Sequence, residues 1–233
     1  MSLIIAVYIP TGIVLSGDSR TTGTRRENLP DPQNPGQLIQ SLTQIVLSDS
    51  AYKVFSIASR YGIGIFGDAI INDMPIAYHM EQFQLSIVSA APANTQTLCD
   101  RLNEYFRALG QFNIGFIVIG YDNHVPSVFS KDIQANTFNR VNVQNGTTNI
   151  AYGIRCGGET DVVQRLFSQP LLVPPFQVMS LQDAVDFSRH LIRATIDQMR
   201  FEPRFATVGG AIDSLIITPN SISFLQRKGL VCS

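Results

Sequence analysis

The sequence predicts a mixed α+β fold in which two antiparallel sheets stack between two layers of helix. Three observations lead there. Apolar, β-branched runs dominate both ends of the 233-residue chain. Two pairs of helical patterns interrupt them. Strands and helices come in runs rather than in strict alternation, which disfavours a parallel βαβ arrangement. The length suits one large domain, no repeat or linker divides it, and residues 1–233 read as a single unit with an inserted surface loop at about 21–40.

The elements follow in order. Residues 3–9 and 13–17 are β-branched runs around Pro10-Thr11-Gly12, the pattern of a hairpin whose first strand is buried on both faces. The polar stretch 21–40 carries Pro30, Pro32 and Pro35 and reads as loop, with an extra strand at 41–48. Strands are expected at 53–57 and 61–67, the second with glycines that permit close backbone approach. A helix is expected from Asp68 or Ala69 to about Ser86. Asn94 caps a second helix carrying Leu98, Leu102, Tyr105, Phe106 and Leu109 at helical spacing. Strands at 112–121, 125–130 and 138–143 come next, then a short extended piece at 148–154. Gly157-Gly158 reads as a turn before a helix over 159–167, and 170–175 as a loop. Ser180 caps a long helix with Ala184, Phe187, Leu191, Ala194 and Ile196 on one face. A terminal hairpin, 210–218 and 221–226, turns at Pro219-Asn220.

Composition narrows the function classes. Apolar residues make up 45% of the chain and charged residues 15%, ample for a core and lean for a surface facing only water. Seventeen basic against eighteen acidic residues give a net charge of −1, without the basic stripe of a nucleic-acid binder. Cys99, Cys156 and Cys232 form no disulfide framework, and His79, His124 and His190 are equally scattered, so neither a metal nor a cofactor is expected. No apolar run reaches the length of a membrane span, and residues 3–9 are too short for a signal core. The expectation is a cytoplasmic protein.

Ser2 carries the chemistry. A small residue after Met1 favours removal of the methionine, which would put a hydroxyl and a free α-amine on one residue. That amine has an unperturbed pKa of about 7.7–8.0, so near neutrality it can act as a general base toward its own hydroxyl.

Residues 4–23, IIAVYIPTGIVLSGDSRTTG, resemble the opening of proteasome β subunits: a nucleophile, a strand, a glycine turn, a second strand and Asp-Ser-Arg. With Ser2 on the nucleophile position, Asp18, Ser19 and Arg20 fall on that triplet without a gap, and Thr22 on the family's substrate-binding threonine. Lys53-Val-Phe resembles the catalytic lysine segment, and the same register puts Gly67 on the oxyanion glycine. The resemblance implies an N-terminal-nucleophile (Ntn) hydrolase fold, a four-layer αββα sandwich. It also implies amide hydrolysis of peptides or unfolded protein and self-association into a ring or related oligomer, and it leaves room for an ATPase partner. In it Lys53 lowers the proton affinity of the nucleophile, Asp18 holds Lys53, and the Gly67 N–H receives the oxyanion. Thr21, Ala51, Ile65 and Ala69 would line a pocket for an apolar side chain.

The chain also differs from that family. Its nucleophile is serine rather than threonine. Near the family's later supporting serine stand Cys156 and Gly157, and Arg204-Phe-Ala-Thr-Val208 precedes Gly209-Gly210 where Asp-x-x-Ser is expected. Two other readings keep the fold: a non-catalytic assembly subunit, and an amidohydrolase of small molecules. The Gly-rich stretch 62–67 lies inside a strand pattern, which argues against nucleotide binding. Cys156 reads as a packing residue rather than a nucleophile.

Overall fold

The structure, a computed structural model, describes residues 2–34, 36–144, 146–169 and 173–229. Met1, Cys232 and the first part of the loop expected at 170–175 therefore lie outside the described residues. Strand β1 (Leu3–Ile9) and strand β2 (Gly12–Gly17) are buried along their whole length. β1 shows why its sequence does not alternate in polarity. Ile4, Ala6 and Tyr8 enter one apolar cluster, while Leu3, Ile5, Val7 and Ile9 enter another on the opposite face.

Next come β3 (Thr21–Pro30), β4 (Leu38–Ser48), β5 (Val54–Ile57), β6 (Tyr61–Gly67), β7 (Ile70–Ile71) and β8 (Met74–Pro75). The helices α1 (Ile76–Ile87) and α2 (Thr95–Leu109) follow, then β9 (Ile114–Asp122), β10 (Val125–Lys131), β11 (Asn139–Arg140) and β12 (Gly153–Gly158). The chain continues through α3 (Asp161–Leu166), α4 (Leu181–Met199), β13 (Asp213–Thr218) and β14 (Ser221–Gln226). It is mixed α+β, as expected, with antiparallel sheets. One sheet runs β12-β1-β2-β13-β14 and the other β11-β10-β9-β6-β5. Among the described residues no helix is long and apolar enough to cross a membrane.

Three apolar clusters account for the packing. Ile4, Leu15 and Leu215 of the first sheet meet Phe66, Ile117 and Ile119 of the second. Ile63, Ile65, Phe116 and Val118 pack instead with Met80, Phe83, Leu98, Leu102 and Phe106 from α1 and α2. Val14 and the odd residues of β1 pack with Val163 of α3 and Ala184, Leu191 and Ile192 of α4. The two caps read from sequence are present: Asn94 accepts the Thr97 N–H at 2.8 Å, and Ser180 forms a capping box with Asp183.

Four elements depart from expectation. Residues 21–40 are not loop; β3 and β4 pair from Thr21↔Ser48 to Pro30↔Leu38 as one long hairpin. Pro30 and Pro32 stand at the tip, where lost N–H groups do not matter, Pro35 lies outside the described residues, and the hairpin's exposure explains a polar composition that resembles loop. The helix expected from residue 68 or 69 starts at Ile76. Asn72 and Asp73 adopt left-handed φ of 47° and 63°, turning β7 onto β8, and Pro75 then stands at the helix N-cap. The strand expected at 138–143 shrinks to Asn139–Arg140. The extended piece expected at 148–154 is displaced to Gly153–Gly158. Gly157 and Gly158 pair with Ile4 and Leu3 instead of forming a turn, because the Phe66 ring occupies the space a side chain at 157 would need.

The two sheets approach closely at Gly64, where an added Cβ would lie 2.4 Å from Ile4 Cγ2 and 3.2 Å from Leu15 Cδ1. Both neighbours are fully buried branched side chains with no room to retreat. Gly64→Ala should therefore destabilise the fold by about 1–3 kcal/mol, lowering the melting temperature by several degrees in calorimetry.

Candidate active site

The site is organised around the carboxylate of Asp18, which is 1% exposed at the end of β2. Its Oδ1 accepts the Leu3 N–H at 3.0 Å and Lys53 Nζ at 2.8 Å. Its Oδ2 accepts the backbone N–H of Arg20 at 3.1 Å and of Gly209 at 3.0 Å. One side chain thus joins the N-terminal strand, the turn into β3, the start of β5 and the segment ahead of β13. Four donors satisfy a buried charge that would otherwise be strongly destabilising.

Lys53 is 4% exposed and also donates to the Arg20 carbonyl. Burial pulls its ammonium below the ordinary lysine value, and the neighbouring Asp18 carboxylate opposes that fall. Arg20 points the other way, forming a bidentate pair with Asp49 at 2.7 and 2.9 Å across the base of the β3–β4 hairpin. Ser19 donates to the Ala211 carbonyl and accepts Lys228 Nζ at 2.7 Å, and Lys228 also pairs with buried Asp213.

Ser2 precedes β1 and is 5% exposed. Its carbonyl accepts the Glu159 N–H at 2.8 Å. Gly158 makes that approach possible: at φ +91°, a Cβ there would fall 1.8 Å from the Ser2 oxygen. Ser2 lines a cavity of about 300 Å³ together with Thr21, Lys53, Ile65, Gly67 and Ala69, and Ala51 stands in the same wall. Gly67 ends β6 at φ +108°, with Asn113 O occupying the place of a side chain, so only glycine fits. Leu47, Ile70 and Ile76 complete a largely apolar lining. Of the residues picked from sequence, Ser2, Thr21, Ala51, Lys53, Ile65, Gly67 and Ala69 meet at the cavity. Asp18 stands behind Lys53, and half-buried Thr22 is outside the lining.

Sequence reasoning missed Glu159 and Arg204. Glu159 is 6% exposed and accepts Arg204 Nη1 at 2.9 Å. The pair locks the turn that holds the Ser2 carbonyl. Forty-five positions separate the partners, and no spacing rule links them. Lys228 was missed for the same reason. Among the described residues, no three His, Cys, Asp or Glu side chains come close enough to hold a metal ion.

The arrangement brings a serine hydroxyl, an ammonium and a backbone turn that only glycine tolerates to one apolar cavity. Comparison with protein-family models and with curated proteins returns no match for the chain.

Two outcomes test this geometry. Asp18→Ala leaves the Lys53 ammonium buried without its counter-charge and should cost about 3–5 kcal/mol in denaturant unfolding. Burial pushes the Cys156 thiol up to about 12. At pH 8 only roughly one thiol in ten thousand is then ionised, against roughly a quarter of ordinary cysteines. Iodoacetamide should label Cys156 roughly a thousandfold more slowly than a free cysteine, accelerating with pH toward 12, as followed by peptide mapping.

Proposed function

We propose that the chain is an N-terminal-nucleophile peptidase of the proteasome β type, with Ser2 as nucleophile once Met1 is removed. The observation that carries the reading is the meeting of Ser2, Lys53 and Gly67 at one cavity, with Asp18 bonded both to Lys53 and to the strand that Ser2 begins. The finer fold reading, a four-layer αββα sandwich of the Ntn type, is supported by the apolar cluster between the sheets and by the helix pairs on their outer faces.

In this mechanism the Ser2 α-amine takes the hydroxyl proton as Oγ attacks the substrate carbonyl. The Lys53 ammonium lowers the proton affinity of both groups, and the Gly67 N–H receives the developing oxyanion. The α-ammonium then returns its proton to the leaving amine, giving an acyl ester on Ser2. Water, activated by the same amine, hydrolyses the ester. Leu47, Ile65, Ala69 and Ile76 suit an apolar residue beside the cleaved bond. Substrates of this kind are peptides or unfolded protein. Self-association is supported by exposed apolar residues on the β3–β4 hairpin, with Leu38 at 66% and Leu42 at 61% exposure, and by Phe201 at 81%.

Intact mass before and after a peptide epoxyketone tests the reading, because that reagent reacts with both the hydroxyl and the amine of an N-terminal nucleophile. The expected result is a mass lacking methionine and a one-to-one adduct that Ser2→Ala abolishes. A retained methionine with no adduct would overturn it in favour of a non-catalytic assembly subunit.

A further inference from the structure

A second cavity, of about 350 Å³, opens between the end of α2, the loop before β9 and the segment after β10. None of its lining residues belongs to the Ser2 cavity. Two cations line it. Lys131, the last residue of β10, is 9% exposed, and Arg107 stands in the last turn of α2. Among the described residues neither makes an ion pair.

Among the described residues, Lys131 contacts neutral groups and no acid. Its Nζ donates to Asn103 Oδ1 at 2.7 Å and lies 5.9 Å from the centre of the Phe116 ring. Asn103 is itself oriented by donating its amide to the Asn136 carbonyl at 3.1 Å. The adjacent acid, Asp132, turns away to Arg155 at 2.6 Å. An ammonium partly withdrawn from water without a counter-charge is destabilised, and a second cation nearby adds repulsion. Both effects pull the Lys131 pKa down, burial most and Arg107 second.

We propose that this cavity is a binding site for a compact oxyanion with two negative charges, a phosphate group or a short dicarboxylate. Such an anion supplies the counter-charge that the fold withholds from Lys131 and neutralises Arg107 at the same time. The guanidinium offers a planar fork suited to two oxygens, and the ammonium a point charge. Gln111, Gln134 and Asn136 line the same space, and their amides are potential further donors. The site stands independently of the peptidase reading, since it shares no lining residue with Ser2.

Titration calorimetry at constant ionic strength tests it, with inorganic phosphate, succinate and acetate as probes. The expected result is saturable binding of phosphate or succinate at one site, at least tenfold tighter than acetate. Whichever dianion binds more tightly identifies the source. Lys131→Met, which preserves the buried stem, and Arg107→Gln, at an exposed position, should each weaken binding at least tenfold. No saturable binding of either dianion would overturn the proposal, and so would binding that Arg107→Gln leaves unchanged. Ser2→Ala should bind like the unaltered protein.

Discussion

The carboxylate of Asp18 is the constraint on which the site depends. A buried charge must be matched, and here the matching donors come from four separate parts of the chain: Leu3, Arg20, Lys53 and Gly209. Satisfying one side chain therefore fixes the mutual position of the first strand, the hairpin base, the lysine and the segment entering β13. A hydrophobic cluster could hold the same elements together but not at that angular precision, because apolar contacts carry no direction. A second pair, buried Asp213 with half-buried Lys228, repeats the arrangement one strand away in the same sheet and is linked through Ser19. The two pairs make this end of the sheets polar and rigid where the rest of the interior is apolar.

Apolar packing supplies what the charge network cannot. Phe66 is 3% exposed, and its ring occupies the places that side chains at Gly115 and Gly157 would take. A large ring set into two glycine gaps joins β6, β9 and β12 and leaves the following residue, Gly67, at the rim of the Ser2 cavity. Gly64 lets Ile4 approach from the opposite sheet. The position of Gly67 relative to Ser2 is thus set by close packing between sheets, and its left-handed φ is tolerated because nothing but hydrogen stands on its Cα.

Much of this was legible in the sequence where local chemistry decides the outcome. The β-branched runs of β1 and β2, the Asn94 and Ser180 caps and the terminal hairpin depend on neighbours a few positions away, and they appear where expected. The meeting of Ser2, Lys53 and Gly67 at one cavity was legible only through the resemblance, because no spacing rule ties residues so far apart. Each misreading has its own physical cause. Residues 21–40 have loop-like composition because both faces of the β3–β4 hairpin meet water, so the amphipathic alternation that marks a strand is weak. Gly157-Gly158 resembles a turn, yet the pair is strand because Phe66 needs the room. Glu159, Arg204 and Lys228 gain their meaning only from partners brought close by folding.

The choice of serine at position 2 makes that last group matter under the proposed mechanism. Threonine carries a methyl that narrows χ1, and serine does not, so a serine nucleophile must gain its orientation from the surrounding backbone. The backbone here is held on both sides of the residue. The Leu3 N–H is bound to Asp18, and the Ser2 carbonyl to the Glu159 N–H. Glu159 is held in turn by Arg204, whose guanidinium grips its carboxylate and also pairs with Glu202 and Asp161. Two backbone hydrogen bonds and the Arg204–Glu159 ion pair would thus fix where Cα of Ser2 stands, while χ1, which a threonine methyl would narrow, stays unrestrained. The remaining freedom is rotation of a single hydroxyl inside a cavity where, among the described residues, Lys53 is the one cation in the wall.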